Sequence, residues 1–221
     1  VTPNLFGSPG TEARRPNEIW EFGKAWLGTA LAFAVLFSSG NRNIAFFTSP
    51  AFFRLLLITA LTAGVGVILH ELAHRVVARH FGATAYFVAN DGMLVLSILI
   101  AFTGFLFAAP GAVWHSGWLT KRQSGLIAAA GPITNMVLAI IFLGGYLLVQ
   151  NTDVSPLVLN GLRIGYFVNA ILGVFNMLPF GPIDGAKVLN WSAVPFGVLI
   201  GIAVLIAFGL PRVIPGLPSI F

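Results

Sequence analysis

Long uninterrupted apolar runs constrain this chain more than any other feature. A helix needs roughly 20 apolar residues to cross the hydrocarbon of a bilayer, with about 17–25 as the working range. The sequence supplies such runs at Trp20 to Phe37, about Ala51 to Arg79, Ser124 to Val149, Leu157 to Leu178 and Val194 to Leu210. A further run, Met93 to Ala109, is broken by Pro110-Gly111. Charged residues make up 9 % of the 221 residues against 57 % hydrophobic, and the mean hydropathy is +0.90. A soluble domain carries about 25 % charge, so this chain has too little polar surface to coat a globule in water. Lipid is its main solvent. The expected fold class is an all-α polytopic membrane protein.

Residues 1–18 are rich in Pro, Gly and charge and read as a flexible tail, leaving 19–221 as a single transmembrane domain. The chain starts without Met, which reads as a fragment or a processed form, and no cleavable signal peptide is evident. The net charge of +5 is scattered between apolar runs without a basic stripe, so it points to orientation in a membrane and not to nucleic acid. Cysteine is absent, which removes disulfides and thiolate metal ligands together. Gly161-x-x-x-Gly165 and Gly197-x-x-x-Gly201 read as ordinary close helix packing. Trp20 and Trp26 read as interface anchors.

The chemistry concentrates in His70-Glu71-Leu72-Ala73-His74. Four residues turn a helix through about 400°, so both imidazoles share a face and can bind one metal ion. Glu71 stands beside them, able to reach a metal-bound water without being a ligand. With 4 His in the chain, chance matches to this string number on the order of 10⁻³. Two His and a Glu at the end of an apolar helix are costly without partners or a function.

A catalytic zinc takes three protein ligands and keeps one position open. His80 lies about 280° round the helix from His70 and faces away. His115 sits in a short Trp-flanked stretch expected to be an interface loop, and Asp91 in Asn90-Asp91-Gly92 reads as a turn. Asp184 is the best third candidate. It follows the helix-breaking run Asn176-x-x-Pro179-x-Gly181-Pro182, and irregular backbone at membrane depth belongs where it lines a cavity. The competing reading of Asp184 is a loop carboxylate paired with Lys187.

His70-Glu71-x-x-His74, then Gly131-Pro132-x-x-Asn135, then Asn176-x-x-Pro179-x4-Asp184-Gly185, in that order on separate apolar segments, resembles the site-2 protease family of intramembrane zinc metalloproteases. The resemblance covers roughly residues 52–192. It implies a three-helix catalytic core and one zinc ion held by His70, His74 and Asp184. It further implies Glu71 as general base, with Asn135 and Asn176 near the substrate or behind the ligands. Two departures stand out: Gly185-Ala186 replaces the paired glycines of many members, and the Met93–Ala109 run is an insertion.

A parity argument bears on that insertion. If His74 and Asp184 share a metal, their helices end at similar depth and run in the same direction. An even number of crossings then separates them. The segments after Ser124 and Leu157 supply two, so Met93–Ala109 contributes none or two and is expected to be re-entrant or folded back, leaving about five spanning helices. With the N-terminus inside, eight basic residues (Arg14, Arg15, Lys24, Arg75, Arg79, Lys121, Arg122, Lys187) face the cytosol and four (Arg42, Arg54, Arg163, Arg212) the other side. This bias agrees with the positive-inside rule.

The expected activity is therefore peptide hydrolysis within or near a transmembrane segment of a membrane-protein substrate, in a cell membrane. A weak alternation over Ala83–Val88 suggests a strand that pairs with the unwound substrate. The rival reading is a divalent-metal transporter or metal-binding membrane receptor built on the same polar cluster. Glu71 weighs against it, because transport needs no non-ligand carboxylate beside the first His, and the chain has no internal repeat.

Overall fold

The computed structural model describes residues 17–38, 43–105 and 110–218. In chain order these form α1 (Glu18–Ser38), α2 (Pro50–His80), β1 (Thr84–Ala89), α3 (Asp91–Ala101), β2 (Gly111–Ser116), α4 (Lys121–Val149), α5 (Pro156–Asn176), α6 (Asp184–Trp191) and α7 (Ala193–Val213). Helices α1, α2, α4, α5 and α7 are long and apolar enough to cross a bilayer. The chain is a helical, multi-pass membrane protein, with one two-stranded antiparallel hairpin added.

Local chemistry sets the helix starts. Ser49 accepts from the Phe52 N–H with Pro50 opening the first turn, and Ser155 and Pro156 repeat the device at α5. Thr120 and Gln123 cap α4 reciprocally. After α5, Pro179 cannot extend a helix, and Gly181 turns the chain at φ +64°. That turn delivers Asp184 to the first position of α6.

Helices α2, α4 and α5 form the centre. Glycine permits their close approach: a Cβ on Gly165 of α5 would stand 2.5 Å from the Phe142 ring of α4. Met136, Leu143 and Tyr146 of α4 pack with Tyr166 and Ala170 of α5, Val188 of α6 and Ile206 of α7. Phe33 of α1 joins Val67 of α2 and Val168 and Leu172 of α5. By contrast a Cβ on Gly161, Gly197 or Gly201 would meet nothing within 4 Å among the described residues, so of the two small-residue patterns only Gly165 marks a tight contact.

Two spans contain a π-helical turn, at Ala60–Gly64 in α2 and Leu205–Gly209 in α7. Each receives a ring donor from a neighbouring helix. The Trp26 indole N–H donates to the Ala60 carbonyl at 2.9 Å, and the Tyr166 hydroxyl donates to the Ile206 carbonyl. Trp26 therefore ties α1 to α2, a more specific task than the interface anchoring expected of it.

The apolar insertion folds back as the parity argument requires. Helix α3 leaves the hairpin at Asn90 and descends beside α1. Lys24 pairs with Asp91 at 2.8 Å, and Ala101 reaches Ala34, Val35 and Phe52. Its 11 residues rise about 16 Å, half the hydrocarbon thickness. The chain is back at the starting level by Pro110, whose carbonyl accepts from the Asn90 N–H at 2.9 Å. The last residues of the run, 106–109, lie outside the described residues, as do 1–16 of the expected tail.

Three local expectations change. Glu18 belongs to α1 and not to the tail. Asn90-Asp91-Gly92 starts a helix, with the Asn90 side chain accepting from the Met93 N–H. The same residue types serve turns and N-caps. His115 lies in strand β2 and not in a loop.

Candidate metal centre

The structure brings His70, His74 and Asp184 to one point, all three buried. The two Nε2 atoms are 3.0 Å apart, and Asp184 Oδ2 lies 3.4 Å from that of His70 and 3.0 Å from that of His74. A tetrahedral zinc with bonds near 2.0–2.1 Å has ligand–ligand edges of roughly 3.3–3.4 Å, so the donor set fits such an ion. The ring orientations agree. His70 Nδ1 faces the Asn135 side-chain oxygen at 2.6 Å, and His74 Nδ1 faces the Ile127 carbonyl at 2.7 Å. Each Nδ1 meets an acceptor, which favours the tautomer with the proton on that nitrogen. Both Nε2 lone pairs then point at one another and at a carboxylate, an arrangement that a cation relieves.

Asp184 divides its two oxygens. Oδ2 faces the imidazoles, and Oδ1 accepts from Lys187 Nζ at 3.2 Å. Both sequence readings of this residue are thus present in one side chain.

Glycine makes the centre possible from two sides. A Cβ on Gly131 would stand 2.5 Å from both Nε2 atoms, which is the physical content of the glycine in Gly131-Pro132-x-x-Asn135. A Cβ on Gly185 would collide with the Met177 and Leu178 carbonyls. Only the first residue after Asp184 must be glycine, so Ala186 costs the site nothing.

Asn135 is fully buried behind His70, with Nδ2 donating to the Gly66 carbonyl at 3.3 Å and to Asn169 Oδ1 at 3.0 Å. It also lines the cavity. Asn176 donates to the Leu172 carbonyl and lines the cavity. His80 is exposed and faces away, as its spacing requires. Asn169 was not anticipated. It is one of three asparagines in α5, with Asn160 and Asn176, and the cost of burying an amide in an apolar span was the available signal.

A cavity of about 510 Å³ opens over the centre. His70, Glu71, His74 and Asp184 form its floor, and β2 supplies a wall through Gly111, Val113 and His115. The outer edge of β1 is already occupied. Phe87 and Ala89 donate their N–H groups to Glu18 and Glu21 at 3.3 and 2.9 Å, and Arg79 donates to the Ala85 carbonyl at 2.6 Å. Glu18 is held in turn by an ion pair with Arg75. Residues 85, 87 and 89 therefore point away from β2, and Thr84, Tyr86 and Val88 carry the ladder to Ser116, Trp114 and Ala112. The same alternation turns the N–H and C=O groups of Gly111, Val113 and His115 to the open edge. The edge of β1 expected to take a substrate strand over Ala83–Val88 is thus filled, whereas among the described residues nothing bonds to the outer edge of β2.

Fold and site together define a multi-pass membrane protein with a buried His₂–carboxylate donor set that could hold a metal ion and a buried glutamate beside it. The chain is 40 % identical over 166 residues to "Putative zinc metalloprotease MJ0611" of Methanocaldococcus jannaschii, covering 74 % of this chain and 81 % of that protein. It is 33 % identical over 157 residues to "Putative zinc metalloprotease YwhC" of Bacillus subtilis, covering 62 % and 69 %. It is 30 % identical over 129 residues to "Zinc metalloprotease MJ0392" of Methanocaldococcus jannaschii, covering 57 % and 31 %. No family model and no solved structure matches the chain. With the three ordered motifs in place, the chain belongs to the site-2 protease family of zinc metalloproteases.

Proposed function

We propose that the protein is an intramembrane zinc endopeptidase that hydrolyses a peptide bond within or near a transmembrane segment of a membrane-protein substrate. The observation that carries this reading is Glu71. It is buried in the same cavity as His70, His74 and Asp184 and is not one of the three converging donors. His70, His74 and Asp184 would hold the zinc, which when bound supplies Lewis acidity toward water and the scissile carbonyl.

Glu71 accepts the proton of the attacking water and returns it to the departing amine. Hydrolysis balances with one water consumed, one C–N bond broken, and a new carboxyl and amine formed. The substrate helix unwinds locally and adds as a strand to the open edge of β2, where Gly111, Val113 and His115 exchange backbone hydrogen bonds with it. Asn176, at the cavity wall, is placed to meet the exposed backbone. The basic-residue bias supports a cytosolic N-terminus in a cell membrane, with the centre nearer the cytosolic face.

Cleavage of a model transmembrane substrate in detergent, with bound zinc measured for wild type and Glu71→Gln, tests this. The expected result is that wild type cuts and Glu71→Gln keeps about one zinc but is inactive. If both bind zinc and neither cuts a range of substrates, a metal transporter or receptor replaces the protease reading.

A further inference from the structure

We infer that Asn169 is a positioning residue that sets which nitrogen of His70 is free for the metal. The inference rests on His70 being a zinc ligand and adds a chain of groups reaching it from α5. Asn169 and Asn135 are both wholly inaccessible. Asn169 Nδ2 donates to the Gly165 carbonyl at 2.9 Å, its Oδ1 accepts from Asn135 Nδ2 at 3.0 Å, and Asn135 Oδ1 accepts from His70 Nδ1 at 2.6 Å.

The direction of each bond follows from the one before it. A backbone carbonyl only accepts, so Asn169 must point its NH₂ at Gly165 and its oxygen at Asn135. That oxygen draws the Asn135 NH₂, helped by the Gly66 carbonyl at 3.3 Å, and leaves the Asn135 oxygen for His70. His70 then holds its proton on Nδ1 and its lone pair on Nε2, toward His74 and Asp184. Turning either amide over would set NH₂ against NH₂ or oxygen against oxygen between two side chains with no exposed surface.

Gly66 supports the assignment independently. It lies one turn before His70 on α2, and any Cβ there would collide with the Asn169 side chain. The two helices approach at this point closely enough to seat the amide one turn from the ligand. Asn169 touches neither His70 nor the cavity, so its influence passes through Asn135. Partners behind a ligand typically change metal affinity by about 10–100-fold, and a residue one step further back falls at the lower end.

The test uses full-length protein in detergent with ¹⁵N-labelled histidine. The metal-free form above pH 8 is compared with His70→Gln to assign the His70 signals, and zinc affinity is measured by chelator competition. Wild type is expected to show His70 protonated on Nδ1. Asn169→Leu is expected to add an Nε2-protonated form and to weaken zinc binding about tenfold. Asn169→Asp, as a neutral buried acid, reproduces both hydrogen bonds and should keep the wild-type tautomer. A wild-type His70 protonated on Nε2 overturns the inference, as does Asn169→Leu with unchanged tautomer and affinity. If Asn169→Leu does not fold, loss of the Nδ1-protonated form in Asn169→Asp overturns it equally. Failure of wild type to bind zinc would instead remove the metal-centre reading on which this rests.

Discussion

Lys187 Nζ lies 3.2 Å from Oδ1 of Asp184, one turn along α6, while Oδ2 of the same carboxylate faces the two imidazoles. The lysine occupies the oxygen that the metal does not need and so favours one-oxygen coordination. Lys187→Met should weaken zinc binding about tenfold, and Lys187→Arg should restore most of it. Chelator competition measures both, and equal affinities in wild type and Lys187→Met would refute the role.

Gly131 faces the two imidazoles from α4. Its Cβ would stand 2.5 Å from both Nε2 atoms, a backbone-borne obstruction no rotamer change can move. Gly131→Ala should therefore lose zinc while keeping its helical circular dichroism. Gly144→Ala, at a position with nothing within 4 Å, is the matched control and should retain the metal.

The open edge of β2 makes a prediction about backbone, not side chain. Val113 turns its N–H outward, so proline there removes a donor toward the cavity without touching the ladder to β1. Val113→Pro should lower kcat/KM for a transmembrane substrate at least about tenfold, on the scale of one lost hydrogen bond with a misaligned strand. Bound zinc should stay unchanged. Unaltered cleavage would mean that substrate does not pair with this strand.

Glu18 and Glu21 act as a surrogate strand for β1. Removing both carboxylates frees the Phe87 and Ala89 amides, each of which has lost a charge-assisted bond worth about 1.5–3 kcal/mol. Hydrogen exchange at these two amides should accelerate at least about tenfold in the Glu18→Ala/Glu21→Ala protein. Exchange in α4 and α5 should hardly change. Uniform acceleration across the protein would instead indicate global destabilisation.

The centre was legible in the sequence because metal chemistry limits the residue types and helical geometry limits their spacing. His70 and His74 had to share a face, and Asp184 stood in backbone that only a cavity tolerates. Parity extended this to the insertion, since a shared metal forbids an odd number of crossings. Strand β2 was not legible. Four of the six residues in its Gly-Ala-Val-Trp-His-Ser sequence are exposed, and none is fully buried, so the sequence lacks the sustained apolar–polar alternation that marks a half-buried strand. Asn169 escaped for a different reason. Asn135 and Gly66, which it meets, lie on α4 and α2, and before those helices pack nothing separates it from Asn160 and Asn176 on the same span. Trp26 looked like an interface residue because the carbonyl it serves exists only once α2 and α1 are packed.

The π turn at Ala60–Gly64 closes i→i+5 and so holds about one residue more than an α-helical turn. The exposed stripe runs on through it, from Phe53, Leu57 and Leu61 to Leu69, while His70 and His74 stay on the buried side. The extra residue is thus taken up within the turn, and the imidazoles keep the azimuth that faces Asp184. Deleting one residue inside the turn should let it revert to α-helical bonding with the donor set still in line. The same deletion between Gly64 and His70, where no bulge stands to absorb it, would shift both imidazoles by about 100°. One spare residue in a featureless apolar stretch therefore acts as slack, and only outside it does a change of length become a phase error.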